Sequence, residues 1–263
     1  LKAIIVRSPQ ITKKDDQYLN SIVDETDSPN DAQIILAAGG DSAILESIHE
    51  LYAHSMAFYG INFGRVGFLS NRSRPKNKKE FEMLIENAKA VDLKSVQATI
   101  KYVGCHTKQV VTGFNDIWIS PKCGQALRMN LTIGDRALSE TVVGDGIIVS
   151  TPQGSTGYTR SAGGKIIKPD LPVLQITPKA CTIGKRRAVW KSSFIEKDDT
   201  VIRVNFEDSE FRPAAVYYDN KAVTPQDTIE YIEFRKSKYG ARLLFDSSKG
   251  FYDKIFQLET GEE

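Results

Sequence analysis

The sequence predicts an α/β domain with a parallel, Rossmann-like sheet, followed by an all-β sandwich domain. Three observations predict it. Before Ala90, short apolar runs alternate with segments of helical period. Two of those runs end in glycine-containing turns, at Gly39-Gly40 and beyond Gly60. After Ala90 the segments become short, β-rich and bounded by Gly, Pro, Asn and Asp.

The elements follow in order. Residues 3–6 are apolar and read as a buried strand. Residues 12–24 are polar, with Tyr18, Leu19, Ile22 and Val23 at helical spacing. Residues 32–38 (AQIILAA) form a second apolar run, 42–59 return to helical period, and 58–62 form a third strand. Strand, helix, strand, helix, strand at these lengths argues for parallel pairing. Residues 72–80 (RSRPKNKKE) are basic but lack interleaved aromatics, so they read as a solvated connector into a helix over 81–89. Segments 97–103, 110–114, 116–120, 128–133, 146–150, 201–206, 214–218 and 228–234 are the expected strands of the second domain. The domains are placed at 1–91 and 92–239, with 240–263 packing back on the first. No internal repeat or low-complexity tract is present.

Bulk properties exclude several classes. The chain has 263 residues, 41% hydrophobic and 26% charged, which suits a soluble globular protein. A net charge of +2 demands neither nucleic acid nor an anionic membrane. Cys105, Cys123 and Cys181 read as reduced thiols, and the three scattered histidines do not have metal-ligand spacing. No apolar run is long enough to span a bilayer, and the N-terminal run is too short for a signal peptide. The chain opens on Leu1, which implies that its start has been trimmed or is absent from the sequence. A cytoplasmic protein is expected.

Four segments carry candidate chemistry. Gly39, Gly40 and Asp41 end a strand, and Ser42 opens a helix. Small residues at a helix N-terminus suit a phosphate chain, and the Asp is either a helix cap or a base. The segment 60–69 (GINFGRVGFL) is either a tight turn or a loop letting Phe68 lean on a flat ligand. Asn115-Asp116 is a turn, or a carboxylate and an amide suited to paired ribose hydroxyls. The fourth runs from Asp145 through a strand into TPQGSTGY at 151–158, followed by SAGG at 161–164. Its hydroxyls and amides at short range, with little bulk, suit a nucleotide lying across it.

Together these segments resemble the NAD kinase family. That family carries GGDG, an Asn-Glu/Asp pair and TPTGSTAY…SAGGP. Here they stand as GGDS at 39–42, ND at 115–116 and TPQGSTGY…SAGGK at 151–165. The segments at 61–70, 144–150 and 171–178 also match in order, so the likeness covers roughly residues 31–220. The resemblance implies an N-terminal α/β domain and a C-terminal β-sandwich with the site between them. It implies phosphoryl transfer from ATP, or polyphosphate, to the adenosine-ribose 2′-hydroxyl of NAD, giving NADP. Asp41 would be the base, with Gly39, Gly40 and Ser42 at the donor phosphates. Phe68, Asn115, Asp116, Asp145, Thr156, Gly157 and Tyr158 would lie near the dinucleotide. Mg²⁺ and a homodimer or homotetramer are implied as well. No Walker A motif is present.

The departures are Ser42 for the last Gly of GGDG, Ala43 for the Thr that commonly follows, Lys165 for Pro, and Asp219-Asn220 for a later Asp-Gly turn. Ser42 would add strain if its φ were positive. The rivals are an NAD-binding paralogue with weakened catalysis, and a lipid or sugar kinase sharing only the first motif.

Overall fold

A computed structural model describes residues 1–64, 67–185, 188–246 and 251–260. The chain divides into two compact units, 1–93 with 240–263, and 94–239. It passes between them within two long strands.

The first unit is built on parallel pairing. Strands β1 (Lys2–Arg7), β2 (Asp24–Glu25), β3 (Ile34–Gly39) and β4 (Ala57–Asn62) stand in the order β4-β3-β1-β2. The parallel register pairs Ile5 with Leu36 and Leu36 with Tyr59. Every residue of β3 is buried, as its unbroken apolar run requires of a central parallel strand. β1 alternates instead, because its neighbour β2 is only two residues long.

Helix α1 (Lys13–Ile22) starts at a capping box in which the Thr12 side chain and the N3 carboxylate of Asp15 satisfy each other's backbone. Helix α2 (Asp41–Leu51) follows β3 directly. Helix α3 begins earlier than its apolar pattern implies, at Lys78, and ends at Glu86. The Asn77 side chain accepts the Glu80 N–H and caps it there. Lys89, expected at the end of that helix, instead opens strand β5 (Lys89–Tyr102). The core joins Leu19, Ile22, Leu36, Tyr59 and Phe81, with Tyr59 and Phe81 edge to face at 5.4 Å.

The second unit is antiparallel. Its strands in chain order are the remainder of β5, β6 (Lys108–Gly113), β7 (Asp116–Pro121), β8 (Leu127–Ile133), β9 (Arg136–Ala137), β10 (Val142–Gly144) and β11 (Ile147–Ser150). After the short helix α4 (Tyr158–Ser161) come β12 (Val173–Pro178), β13 (Cys181–Ile183), β14 (Ala188–Trp190), β15 (Phe194–Lys197), β16 (Ile202–Glu207), β17 (Ala214–Tyr218), β18 (Lys221–Ala222) and β19 (Ile229–Phe245). One sheet runs β14-β13-β10-β8-β16-β19, the other β15-β12-β11-β7-β17-β18. Val96, Leu131, Val204 and Ile232 of the first share one core with Ile117, Val149, Ile176 and Val216 of the second. That is a sandwich, as the alternating strands predict.

β19 continues into the first unit, where Arg242 and Leu243 pair in parallel with Ala57 and Phe58. Helix α5 (Phe251–Thr260) follows it. No described helix is long and apolar enough to cross a membrane.

Candidate functional site

In the first unit, Gly39 ends β3 at φ +150°, and a Cβ there would press on the Cβ atoms of Ser8 and Ala43. Gly40 is the helix N-cap, and its Cα side faces open space. Asp41 is therefore the first helical residue rather than the cap, and it makes no capping bond. Its carboxylate reaches across to residues 68–70. Oδ2 accepts the Phe68 N–H at 2.7 Å. Oδ1 accepts the Leu69 N–H at 3.0 Å, the Ser70 N–H at 3.2 Å and the Ser70 hydroxyl at 3.1 Å. Oδ1 is crowded with donors, whereas Oδ2 holds one and keeps room for another.

Ser42 lies inside α2 and is exposed, so its backbone is helical and the strain that a positive φ would bring does not arise. Its hydroxyl has no hydrogen-bond partner among the described residues. Phe68, grouped by resemblance with the dinucleotide residues, is tied through its amide to Asp41. Beyond β4, residues 63–64 and 67–70 belong to no helix or strand, and α3 starts only at Lys78, so the strand does not turn directly into a helix. Asn62, the last residue of β4, is 3% exposed, and its Nδ2 has no partner among the described residues.

The second unit gathers the remaining residues. Thr151 donates its hydroxyl to the carbonyls of Phe114 (2.7 Å) and Asn115 (3.0 Å), and its N–H also reaches the Asn115 carbonyl at 2.9 Å. Gln153 adds a bond to the Phe114 carbonyl at 2.5 Å. Gly154 lies so close to the Asn115 backbone that any side chain would collide with it. These contacts fasten the 151–158 loop onto the 114–116 strand end. They bring Asn115 and Asp116 beside Thr156, Gly157 and Tyr158. Gly157 lies so that a Cβ would be 3.9 Å from Asn115 Nδ2.

Asp219 clasps the same strand end from the other side. Its carboxylate accepts the N–H groups of Phe114 (2.6 Å), Asn115 (2.7 Å) and Asp116 (3.2 Å). Asp219 and Asn220 both have positive φ, at 42° and 66°, so the turn that elsewhere uses Gly survives here. Asp116 is 7% exposed, and its carboxylate has no hydrogen-bond partner among the described residues. Burial, then the charge of Asp219, push it up to about 7. Asn115 Oδ1 is also buried, without a partner among the described residues. The buried Asn115 Oδ1 is costly unless a ligand supplies a donor, and the Asp116 carboxylate lies beside it.

Three aromatic rings lie next to them. Trp118 stacks on Tyr217 at 4.4 Å and 12°, and Tyr158 meets Trp118 edge to face at 5.0 Å. The Lys179 ammonium lies 5.5 Å from both the Trp118 and Tyr158 rings. Burial pushes Lys179 down, opposed by the charge of Asp145. Asp145 itself is exposed, its N–H bonded to the Lys179 carbonyl at 2.9 Å. The sequence does not single out Trp118, Tyr217 or Lys179; Thr151 stands there only within the 151–158 segment and Asp219 only in the turn that departs from the family's pattern. Trp118 could have been singled out, since it stands two residues after Asp116 and a strand's side chains repeat with that period. Tyr217 lies almost a hundred residues away in sequence, and only the pairing of β17 with β7 brings it opposite Trp118.

Among the described residues no three His, Cys, Asp or Glu side chains converge on a metal position. A protein-built Mg²⁺ cage does not fit these residues.

Comparison with known proteins agrees with both units. Residues 7–89 match the family model of the ATP-NAD kinase N-terminal domain, and 114–244 match that of the C-terminal domain. An NAD kinase of Caulobacter vibrioides is 29% identical over 231 residues, covering 86% of this chain and 84% of that protein. One from Brucella suis biovar 1 is 29% identical over 227 residues, with 86% and 84% covered. Two crystal structures share the fold. A yeast NADH kinase complexed with NADH has a TM-score of 0.78 at 18% identity, covering 98% of this chain and 87% of that one. An Archaeoglobus fulgidus NAD kinase in complex with ATP has a TM-score of 0.72 at 23% identity, each chain being fully covered. With both of its parts matched in order, the chain belongs to the NAD kinase family, phosphotransferases that convert NAD to NADP.

Proposed function

We propose that this chain uses Asp41 as the base that accepts a proton from the adenosine-ribose 2′-hydroxyl of NAD while ATP donates the phosphoryl group. The observation that carries it is the arrangement of the Asp41 carboxylate. Four donors fix its position, and they are shared unevenly, so Oδ2 keeps an open acceptor site. A ribose hydroxyl is a poor nucleophile at neutral pH, and a fixed carboxylate oxygen within hydrogen-bond reach can take its proton as the new P–O bond forms.

The first turn of α2 supplies the donor side. Gly40 is unobstructed, and although the Ala43 N–H is taken by the Gly40 carbonyl at 3.0 Å, the N–H groups of Asp41 and Ser42 ahead of it open the helix and suit the phosphates of the nucleotide. The exposed Ser42 hydroxyl adds a donor there. A divalent cation would be held by the nucleotide's phosphates rather than by side chains of this chain, and would supply neutralisation of their charge. No protein cage is needed for that.

The sandwich unit binds the dinucleotide. The Asp116 carboxylate and the Asn115 Oδ1 accept from ribose hydroxyls, which gives the buried Asn115 Oδ1 the donor it lacks among the described residues. Tyr158, exposed and edge-on to Trp118, offers a face to a flat ring. Thr156, Gly157 and Asp145 line the same neighbourhood. A cytoplasmic homodimer or homotetramer belongs to the same reading, on the resemblance alone.

The test is the purified protein with NAD, Mg²⁺ and either ATP or polyphosphate, followed for NADP. Turnover with ATP supports the reading, turnover with polyphosphate alone changes the donor, and no NADP from either donor overturns it.

A further inference from the structure

Helix α5 lies beyond the residues matched to either family domain, which end at Leu244. It nevertheless touches the loop that grips Asp41. The Lys254 ammonium donates to the Phe68 carbonyl at 3.0 Å and to the Ser70 carbonyl at 3.0 Å, and lies 4.9 Å from the Phe245 ring. Residues 68–70 belong to no helix or strand. Their N–H groups point to Asp41, and two of their carbonyls point to Lys254. The downstream end is fixed separately. Asn71 bonds through its backbone to Gly60 and Asn62, and through its side chain to Leu244 and Asp246.

One peptide group joins the two charges. The Phe68 carbonyl and the Leu69 N–H belong to the same peptide unit. Lys254 binds its oxygen, and Asp41 Oδ1 accepts from its nitrogen. A cation at the oxygen draws electron density from the nitrogen and makes the N–H a stronger donor. The ammonium also prevents the loop from swinging away, since its two carbonyls would lose a charge-assisted bond each. Burial pushes the Lys254 ammonium below its usual range, opposed by the charges of Asp41 and Asp246.

We infer that Lys254 is a positioning residue for phosphoryl transfer, holding the 68–70 amides so that they fix Asp41 with Oδ2 free for substrate. This rests on the reading of Asp41 as the base. It assigns a catalytic contribution to a helix outside the recognised motifs.

Three variants, K254M, K254R and D41N, and the double variant D41N/K254M, test it in the full chain, with kcat, KM for NAD and for ATP, and Tm measured for each. K254M is expected to lose at least about tenfold in kcat, the scale of a misplaced catalytic group, with KM for NAD nearly unchanged. K254R, which keeps the charge and two donors, is expected to recover most of it. In the D41N background K254M should cost little more, because no base remains to be positioned. If K254M does not fold, K254Q keeps N–H donors without the charge and should lie between K254M and the parent. A parental kcat in the Met or Gln variant beside an inactive D41N overturns the proposal alone. So does a full additional loss in the double variant, which would mark Lys254 as acting independently of Asp41. Near-normal turnover in D41N overturns the base reading, and this inference with it.

Discussion

The Asp219 carboxylate accepts the backbone N–H of Asp116 at 3.2 Å, while its charge helps to keep the buried Asp116 carboxyl protonated up to about 7. One residue thus holds the strand end in place and raises the cost of ionising its neighbour. Ribose hydroxyls donate to an ionised carboxylate, so NAD should bind the ionised form. Affinity for NAD is expected to rise with pH through about 7, and to fall by up to about tenfold per unit below it. Calorimetric titration between pH 5.5 and 8.5 checks this. A flat profile would remove Asp116 from the contact.

The same group affects the stability of the free protein with the opposite sign. Its folded pKa is raised, so the folded state binds the extra proton. The contribution is fully present below the ordinary value of 3.8 and is lost as pH rises through about 7. D116N, neutral at every pH, should remove this component of the Tm–pH curve and gain stability relative to the parent at pH 8. It should also weaken NAD binding by about 1–3 kcal/mol, as for a lost charge-assisted bond. A Tm–pH curve identical to the parent's would show that the carboxyl is not titrating in this range.

Tyr158 is 40% exposed and meets Trp118 only edge to face. Y158A should therefore leave the Tm within a few degrees of the parent while weakening NAD binding. Thermal denaturation and NAD titration on one preparation separate the two. A large drop in Tm with affinity lost in proportion would make Tyr158 a structural residue.

D41N is expected to cut NADP formation by at least about a hundredfold, the scale of a lost general base. It does more than remove a charge. Three donors converge on Oδ1 and one on Oδ2, so the Asn oxygen should take the Oδ1 place. Its NH₂ then faces the Phe68 N–H, donor against donor. A stability loss of about 1–3 kcal/mol should accompany the loss of turnover, read by denaturant unfolding. Retained turnover would exclude Asp41 as the base.

Much of this was legible in the sequence because it is local. Gly39 and Gly40 punctuate an apolar run, so β3 and the start of α2 follow from periodicity and backbone freedom alone. The 151–158 loop stands out by its hydroxyl density. The rest depends on contacts between distant residues. Nothing near Asp41 announces that its partners are 27 to 29 residues away. The role of Asp219 beside Asp116 requires residues 103 apart to meet, and the choice of cap or base for Asp41 missed a third role, anchoring a loop. Lys254 sits in a stretch whose pattern is weak, and 184 residues separate it from Ser70. Helix α3 shifted its start because a capping Asn outweighed the apolar periodicity.

Ser42 stands in the first turn of α2, directly after Asp41. A glycine is the family's residue there, and a serine could crowd the phosphates or contact them. The helical backbone removes strain from the comparison, and exposure leaves the side chain room to turn. The hydroxyl makes no hydrogen bond among the described residues, so it is available to a phosphate oxygen beside the first-turn amides. S42G should therefore raise the KM for ATP, by about tenfold for one hydrogen bond near 1.4 kcal/mol, and leave the KM for NAD unchanged. Gly in the first turn should also cost up to about 1 kcal/mol of stability, which a Tm measurement reads independently. Saturation curves for both substrates on both proteins decide it. A lower KM for ATP in the Gly variant would mean that the side chain crowds the donor. A shift in the NAD curve alone would place the donor away from the α2 N-terminus.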